Sequence, residues 1–389
     1  MPKAKQSGVI AAGLALFSMF FGAGDLIWPL ILGGSMGDNN LYAMLGLLIT
    51  GVSLPLLGLL SMMLFDGNYR AFFGRLGKVP AVIIIFIIQA VLGPIGSIPR
   101  LFTLSFATLK PYLPEDTTLL AFSVIASIGV LAFTIKKRRV IELLGLVLTP
   151  VLLLTLGFIL FIGFTSPHEA VVNTLTQGAA FKEGLNTGYN TLDLIASFIF
   201  VPLVLSHFKD ENSEESPVAA RKTMLKKMLK ACLLAAFLLS SMYVGLTYVS
   251  SFYTPLLRPD HLPVERLSEI SLYLLGPYGA FVACIAVAMA CLTTAIPLTA
   301  ICGEYIKKDI LNNKGGDILP LAITLILSIS VATLGFMGIA DMLAPLLHVL
   351  CPGLIVLSIL NIIHCLYEVK PGKAPVFAAF GLSALLYVI

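Results

Sequence analysis

Apolar runs of about 20 residues or more recur along almost the whole of this chain, and their length limits what it can fold into. A helix needs about 20 such residues to cross roughly 30 Å of hydrocarbon, whereas the strands of a membrane barrel alternate apolar and polar residues over about 10. These runs are continuous and do not alternate. Inside lipid every backbone amide must find its partner within the protein, and unbroken runs of this length meet that demand as helices. Composition closes off the soluble alternative. Of the 389 residues 58% are hydrophobic and only 12% charged, with a mean hydropathy of +0.97, against about a quarter charged in ordinary soluble domains. The expected fold class is an all-α polytopic membrane protein.

Spans are expected near 9–33, 40–64, 80–109, 118–135, 140–164, 189–207, 224–251, 271–305, 318–335, 339–363 and 375–389, eleven in all. The last has 15 residues, about 22 Å if helical, and reads as a shallow or partial span. Lys3 and Lys5 precede the first apolar stretch as in a signal peptide. That stretch continues to Ile31 without a small-residue cleavage site, so it reads as an uncleaved span. Cations gather in alternate loops: Lys3 and Lys5; Arg70, Arg75 and Lys78; Lys136 to Arg139; Lys209, Arg221, Lys222, Lys226, Lys227 and Lys230; Lys307, Lys308 and Lys314; Lys370 and Lys373. Only Arg100, Lys110, Lys182, Arg258 and Arg266 fall toward the other side. The positive-inside rule then puts the amino terminus in the cytoplasm, with the chain in a plasma membrane or bacterial inner membrane.

Other function classes lack their chemistry. The longest loops, about 252–270 and 208–223, have room for a short surface helix and not for a catalytic domain. Cys232, Cys284, Cys291, Cys302, Cys351 and Cys365 form no C-x-x-C pair, and His168, His207, His261, His348 and His364 are scattered without H-E-x-x-H. There is no phosphate-binding Gly-Lys-Ser/Thr loop for a nucleotide-driven pump, and no cofactor is expected. An intramembrane enzyme would need a nucleophile with its base or a metal cluster, and a channel would need a continuous polar face; neither is present. The basic loops lack interleaved aromatics, so nothing asks for nucleic acid.

Interruptions of the apolar runs say more. In the first span Phe20-Phe21-Gly22-Ala23-Gly24-Asp25 places two glycines and a carboxylate near the bilayer middle. Each glycine costs a helix about 1 kcal/mol relative to alanine, and an acid within a membrane marks a functional site by default. The glycines alone have a plainer reading, as small residues that let two helices approach. The sixth span opens on Gly188-Tyr189-Asn190-Thr191-Leu192-Asp193 and runs through Ala196-Ser197-Phe198 to Pro202. Spans one and six are separated by an odd number of steps and so cross in opposite senses, as the halves of an inverted repeat do. The repeats would be 9–164 and 189–363, with 375–389 as an additional piece. Broken helices present free amides to a carboxylate, and freed carbonyls to an ammonium or a small cation. Thr293 and Thr294 in the eighth span offer hydroxyls to a hard cation such as Na+, although threonines in membrane helices commonly bond the preceding turn of their own helix.

Phe20-Phe21-Gly22-Ala23-Gly24-Asp25-Leu26-Ile27-Trp28-Pro29 resembles the F-F-G-A-G-N-L-I-F-P signature of the branched-chain amino acid:cation symporter family. Gly93-Pro94-Ile95-Gly96-Ser97-Ile98-Pro99-Arg100, Gly188 to Asp193, and Leu292-Thr293-Thr294-Ala295 resemble three further stretches of that family, in the same order. The resemblance implies a LeuT-type 5+5 inverted-repeat fold, within the amino acid, polyamine and organocation superfamily, with helices 1 and 6 discontinuous. It implies import of leucine, isoleucine and valine, mainly with Na+ as coupling ion. Carried over by position, it has the amides of Gly22, Ala23 and Gly24 meet the substrate carboxylate and carbonyls from Asp193 through Ala196 and Ser197 to Phe198 face the ammonium. A sodium site would use the carbonyls of Ser18 and Phe21 with the hydroxyls of Thr293 and Thr294.

Two departures stand out: Asp25 replaces the family's asparagine, and Trp28 replaces a phenylalanine. An ionised Asp25 would repel a substrate carboxylate unless a cation or the ammonium lay between them; a titrating Asp25 or Asp193 would open proton coupling instead. Asp193 is equally placed to cap its helix. Arg100 and Asp341, at the outer ends of spans three and ten, are expected to pair as an outer gate, the alternative being an arginine that reaches to headgroups. The alternatives to sodium symport are a proton-coupled carrier of apolar amino acids such as methionine, and a nontransporting sensor on the same scaffold.

Overall fold

The computed structural model describes residues 3–135, 149–165, 175–210, 217–254, 263–369 and 372–388. Among them there is no β-strand. Residues 140–148 of the expected fifth span lie outside the described residues, as do the cations Lys136 to Arg139 and residues 211–216 and 255–262 of the two longest loops.

The first expected span is two helices, α1 (Lys3–Phe20) and α2 (Ala23–Met36), parted at Phe21 and Gly22. The second is α3 (Asn40–Leu48) and α4 (Leu54–Leu64), joined by a π-turn over Ile49–Ser53. After the short α5 (Tyr69–Gly74), the third span divides into α6 (Lys78–Leu92) and α7 (Ser97–Leu109) around the Gly93-Pro94-Ile95-Gly96 stretch. Next come α8 (Leu119–Thr134), begun by the Thr118 hydroxyl accepting from the Ala121 amide, and α9 (Thr149–Thr165).

The sixth span is also two helices, and here the sequence reading needs correction. It placed the start at 189, whereas α10 (Gln177–Tyr189) already forms the first half, and α11 (Asp193–Asp210) follows a break at 190–192. The polar sequence of α10 conceals it from a hydropathy reading. It packs on α3 more than on any other element and so touches protein where a lipid-facing helix would touch chains of hydrocarbon. Gly184 and Gly188 have the spacing of a membrane packing motif. A Cβ at Gly184 would lie 1.9 Å from the Ala43 carbonyl oxygen, so only glycine permits this approach.

The remaining helices are α12 (Pro217–Tyr253), α13 (Arg266–Tyr305, kinked at Gly276), α14 (Ile318–Ala332), α15 (Gly335–Tyr367) and α16 (Ala374–Val388). Among the described residues six helical stretches are long and apolar enough to cross a membrane, and shorter apolar helices accompany them. Many of their outward side chains are large and apolar, such as Val82, Ile125, Leu154, Phe237 and Ile326, which suits a lipid-facing surface. The α1 and α2 halves pack along α12, α7 along α13, and α11 along α4, so the two broken spans lie within a shell of longer helices.

Candidate functional site

The two breaks meet at the centre of the protein. A Cβ at Gly24 would lie 3.1 Å from the backbone of Thr191, so α2 begins directly against the unwound stretch of the sixth span. Leu192 in that stretch has φ of 72°, a left-handed conformation that a bulky residue rarely adopts and that costs about 1–3 kcal/mol. Arg100 holds the same stretch from outside by donating Nη1–H to the Asn190 carbonyl at 2.9 Å.

A small cavity of about 30 Å³ lies where the breaks face each other. Gly22, Ala23, Gly24, Asp25, Asp193 and Ala196 line it, as do Arg100, Thr191 and Thr294. Met19, Phe20, Leu92, Leu101, Phe200 and Leu298 supply apolar wall. The volume has room for about two water molecules, so an amino acid is admitted only after the walls part. A second cavity of about 310 Å³ lies below it, lined by Gln89, Ile199, Ile301, Glu304 and Lys308 among others. Gln89, Ile199 and Ile301 are each three residues from a wall residue of the central cavity, namely Leu92, Ala196 and Leu298. The floor between the cavities is therefore about one helical turn thick, roughly 5.4 Å. Phe20 and Phe200 meet edge to face at the central cavity, with centroids 5.2 Å apart. Glu304 is exposed and pairs with Lys308 at 2.5 Å, and that hydrogen bond holds the Lys308 ammonium above its ordinary range.

Asp25 makes two contacts that fix the first break. One carboxylate oxygen accepts from the Gly22 amide at 2.9 Å, the reciprocal half of a capping box at the start of α2. The other accepts from the Tyr243 hydroxyl on α12, and that same hydroxyl lies 2.9 Å from the Asp193 carboxylate. Both carboxylates thus converge on one phenol oxygen. All three residues are buried. The Asp193 amide donates to the Thr191 hydroxyl at 3.4 Å, while its carboxylate takes Tyr243 as partner at the edge of the cavity. Tyr243 escaped sequence reasoning because a tyrosine in a long apolar helix reads as core. Its signal was the buried polar stripe Tyr243, Thr247 and Ser250, spaced for one helical face.

Beside the break, the Thr294 hydroxyl lies 2.9 Å from the Ser18 carbonyl oxygen and 3.3 Å from that of Phe21. The Thr293 hydroxyl lies 3.4 Å from Ser18 O and 2.9 Å from the carbonyl of Ala290, its own preceding turn. The four groups expected to hold a cation are thus brought together, with Thr293 shared between that cluster and its own helix.

Three expected positions fall elsewhere. Ser197 bonds the Leu194 carbonyl and packs toward Gly58, and Phe198 packs on Phe72 and Phe73; neither lines the cavity. The carbonyls from Asp193 onward begin a regular helix, and within the break the Asn190 carbonyl accepts from Arg100 and the Leu192 carbonyl from the Ala196 amide. Arg100 and Asp341 form no ion pair: Asp341 is exposed, whereas Arg100 is buried with its guanidinium carbon 5.4 Å from the centre of the Phe336 ring. Burial of Arg100 beneath that ring separates it from the surface acid.

The sequence model of the family described as "Branched-chain amino acid transport protein" matches residues 5–389. The branched-chain amino acid permease BrnQ of Bacillus subtilis is 29% identical over 396 residues, covering 99% of this chain and 87% of that protein. The permease BraB of the same organism is 30% identical over 367 residues, covering 92% and 80%. Among solved structures, Mhp1, a nucleobase-cation-symport-1 family transporter in a closed conformation, superposes with a TM-score of 0.64 at 12% identity, covering 97% of this chain and 90% of that one. A Na+-coupled sialic acid symporter in an outward-open state gives 0.58 at 12% identity, covering 97% and 88%. At that identity the likeness speaks for the fold, and the fold is the LeuT type with both discontinuous helices.

Proposed function

We propose that this chain, which belongs to the branched-chain amino acid transport protein family, is a secondary symporter that imports leucine, isoleucine, valine or a similar apolar amino acid together with Na+. Its relatives are named as branched-chain amino acid permeases. The observation that carries the coupling is the convergence of the Thr294 and Thr293 hydroxyls on the carbonyls of Ser18 and Phe21, beside a cavity whose other wall is apolar. A hard cation is bound by oxygen, and these oxygens belong to α13 and to the broken first span together. Binding there ties a scaffold helix to the break, so the ion and the amino acid stabilise the same closed arrangement. The apolar wall accepts the side chain but separates aliphatic chains differing by one methylene by only about 1–3 kcal/mol. Methionine therefore falls within the accepted range.

With α10 included in the sixth span, the inverted repeats in this reading are 9–164 and 177–363, the amino terminus is cytoplasmic, and the cavity beside Glu304 and Lys308 is the inner vestibule. Alternating access then opens either the roof near Arg100 and Phe336 or the floor at Phe20 and Phe200.

A second reading, proton coupling, is favoured by the cluster of Asp25, Tyr243 and Asp193. A phenol brings one proton, yet its oxygen lies within hydrogen-bonding distance of two carboxylates. A further proton on one of the carboxyl groups would complete the hydrogen bonding, and two buried carboxyl groups sharing one phenol do not both ionise readily. Uptake of radiolabelled leucine into proteoliposomes, with Na+ and pH gradients imposed separately, separates the readings. Dependence on external Na+ at constant pH is expected. Uptake indifferent to Na+ and driven by an acid exterior would replace sodium with the proton, and no uptake under either gradient would fit a sensor.

A further inference from the structure

Arg100 is 1% exposed and lines the central cavity. Its Nη1 donates to the Asn190 carbonyl, while Nε and Nη2 have no hydrogen-bond partner. Those two nitrogens flank one edge of the guanidinium, the edge that takes a carboxylate through two parallel N–H···O bonds. A buried cation with that edge open is costly inside a membrane, because its donors have lost water and gained nothing. Among the described residues no acid fills it. Asp341 is exposed and forms no ion pair with it, and Asp25 already engages the Gly22 amide and the Tyr243 hydroxyl.

The same cavity holds the start of α2, where Ala23 and Gly24 occupy the first turn. Amides in a first turn have no partner within their helix. The Gly22 amide, by contrast, is occupied by Asp25 and is closed to a ligand. We infer that Arg100 receives the carboxylate of the amino-acid substrate, held between its Nε and Nη2 edge and the first turn of α2, with the Asp25 and Asp193 side left to the ammonium. This rests on the reading that the cavity carries an amino acid. It makes Arg100 a specificity-determining residue: a free carboxylate fills both donors, whereas an amide or an amine does not.

The test is equilibrium binding to purified protein in detergent, with L-leucine and L-leucinamide as probes. Wild type is expected to bind leucine at least roughly 30-fold more tightly than leucinamide. Arg100→Gln, which keeps a donor for Asn190, is expected to weaken leucine binding by at least roughly that factor while leucinamide changes less than about threefold. Equal losses for both probes, or leucine binding unchanged, would overturn the assignment and leave amino-acid transport standing. Failure of wild type to bind leucine at all would instead overturn the functional reading together with this one. Where Arg100→Gln does not fold, Arg100→Lys retains the charge without the planar edge. A selective loss of leucine affinity there supports the inference, and a parallel change for the two probes refutes it.

Discussion

Replacing Thr294 gives a sharp test of the cation site, because serine and alanine at that position separate its methyl from its hydroxyl. The hydroxyl reaches Ser18 O at 2.9 Å, and the methyl faces Gly22, where a Cβ would lie 3.1 Å from it. In the absence of the ion the hydroxyl donates to a carbonyl, a neutral bond with a net value of about 1 kcal/mol. With Na+ bound, its oxygen turns to the ion, an interaction of the charge-assisted kind at about 1.5–3 kcal/mol. The affinity for Na+ reports the difference, about 0.5–2 kcal/mol, or roughly 2- to 30-fold. Thr294→Ala is therefore expected to raise the Na+ concentration for half-maximal leucine uptake by that factor, and Thr294→Ser to leave it near wild type. Proteoliposomes loaded at fixed pH and titrated with external Na+ provide the assay. Equal shifts in both variants would trace the effect to packing against Gly22, and no shift in either would remove Thr294 from the site.

Three further perturbations follow from the same geometry. Tyr243→Phe removes the donor shared by Asp25 and Asp193 and should cost about 1.5–3 kcal/mol of stability, read as a lower thermal midpoint in detergent; an unchanged midpoint would mean that the carboxyl groups find another partner. Asp25→Asn keeps an oxygen for the Gly22 amide but leaves no second acid beside Asp193. Sodium-driven uptake should persist in that variant while any stimulation by external acid disappears, and a pH profile identical to wild type would clear Asp25 of proton traffic. Gly33→Ala places a Cβ 2.1 Å from the Thr247 carbonyl oxygen and 2.8 Å from its backbone carbons, atoms that cannot rotate away. It should destabilise by about 1–3 kcal/mol or more through forced separation of α2 and α12, and a wild-type thermal midpoint would show that the crossing is loose.

Much of this architecture is legible in the amino-acid sequence because the bilayer enforces it. Apolar runs of spanning length reveal α12, α13 and α15 directly, and the glycine-flanked acid at Asp25 marks the first break. The half-helix α10 is hidden for the opposite reason. It lies against α3, where small residues matter and hydropathy does not, so Gly184 and Gly188 carry the signal. Thr294 is legible as a candidate through its neighbours and the resemblance they carry. Tyr243 is not, since its role comes from two carboxylates on other helices. Arg100 misled for a related reason: position along the span places it near the outer surface, whereas the break at 93–96 and the Asn190 carbonyl turn it inward.

The contact between Asp25 and the Gly22 amide bears on how the carrier resets. A gap in a helix is ordinarily kept apart by what it binds, and it would tend to zip shut on release. Here a side chain of the protein itself stays seated at the gap, so unloading need not be followed by local refolding before the return stroke. The resting carrier keeps the gap itself preformed, and each new cycle asks only that the surrounding walls move aside.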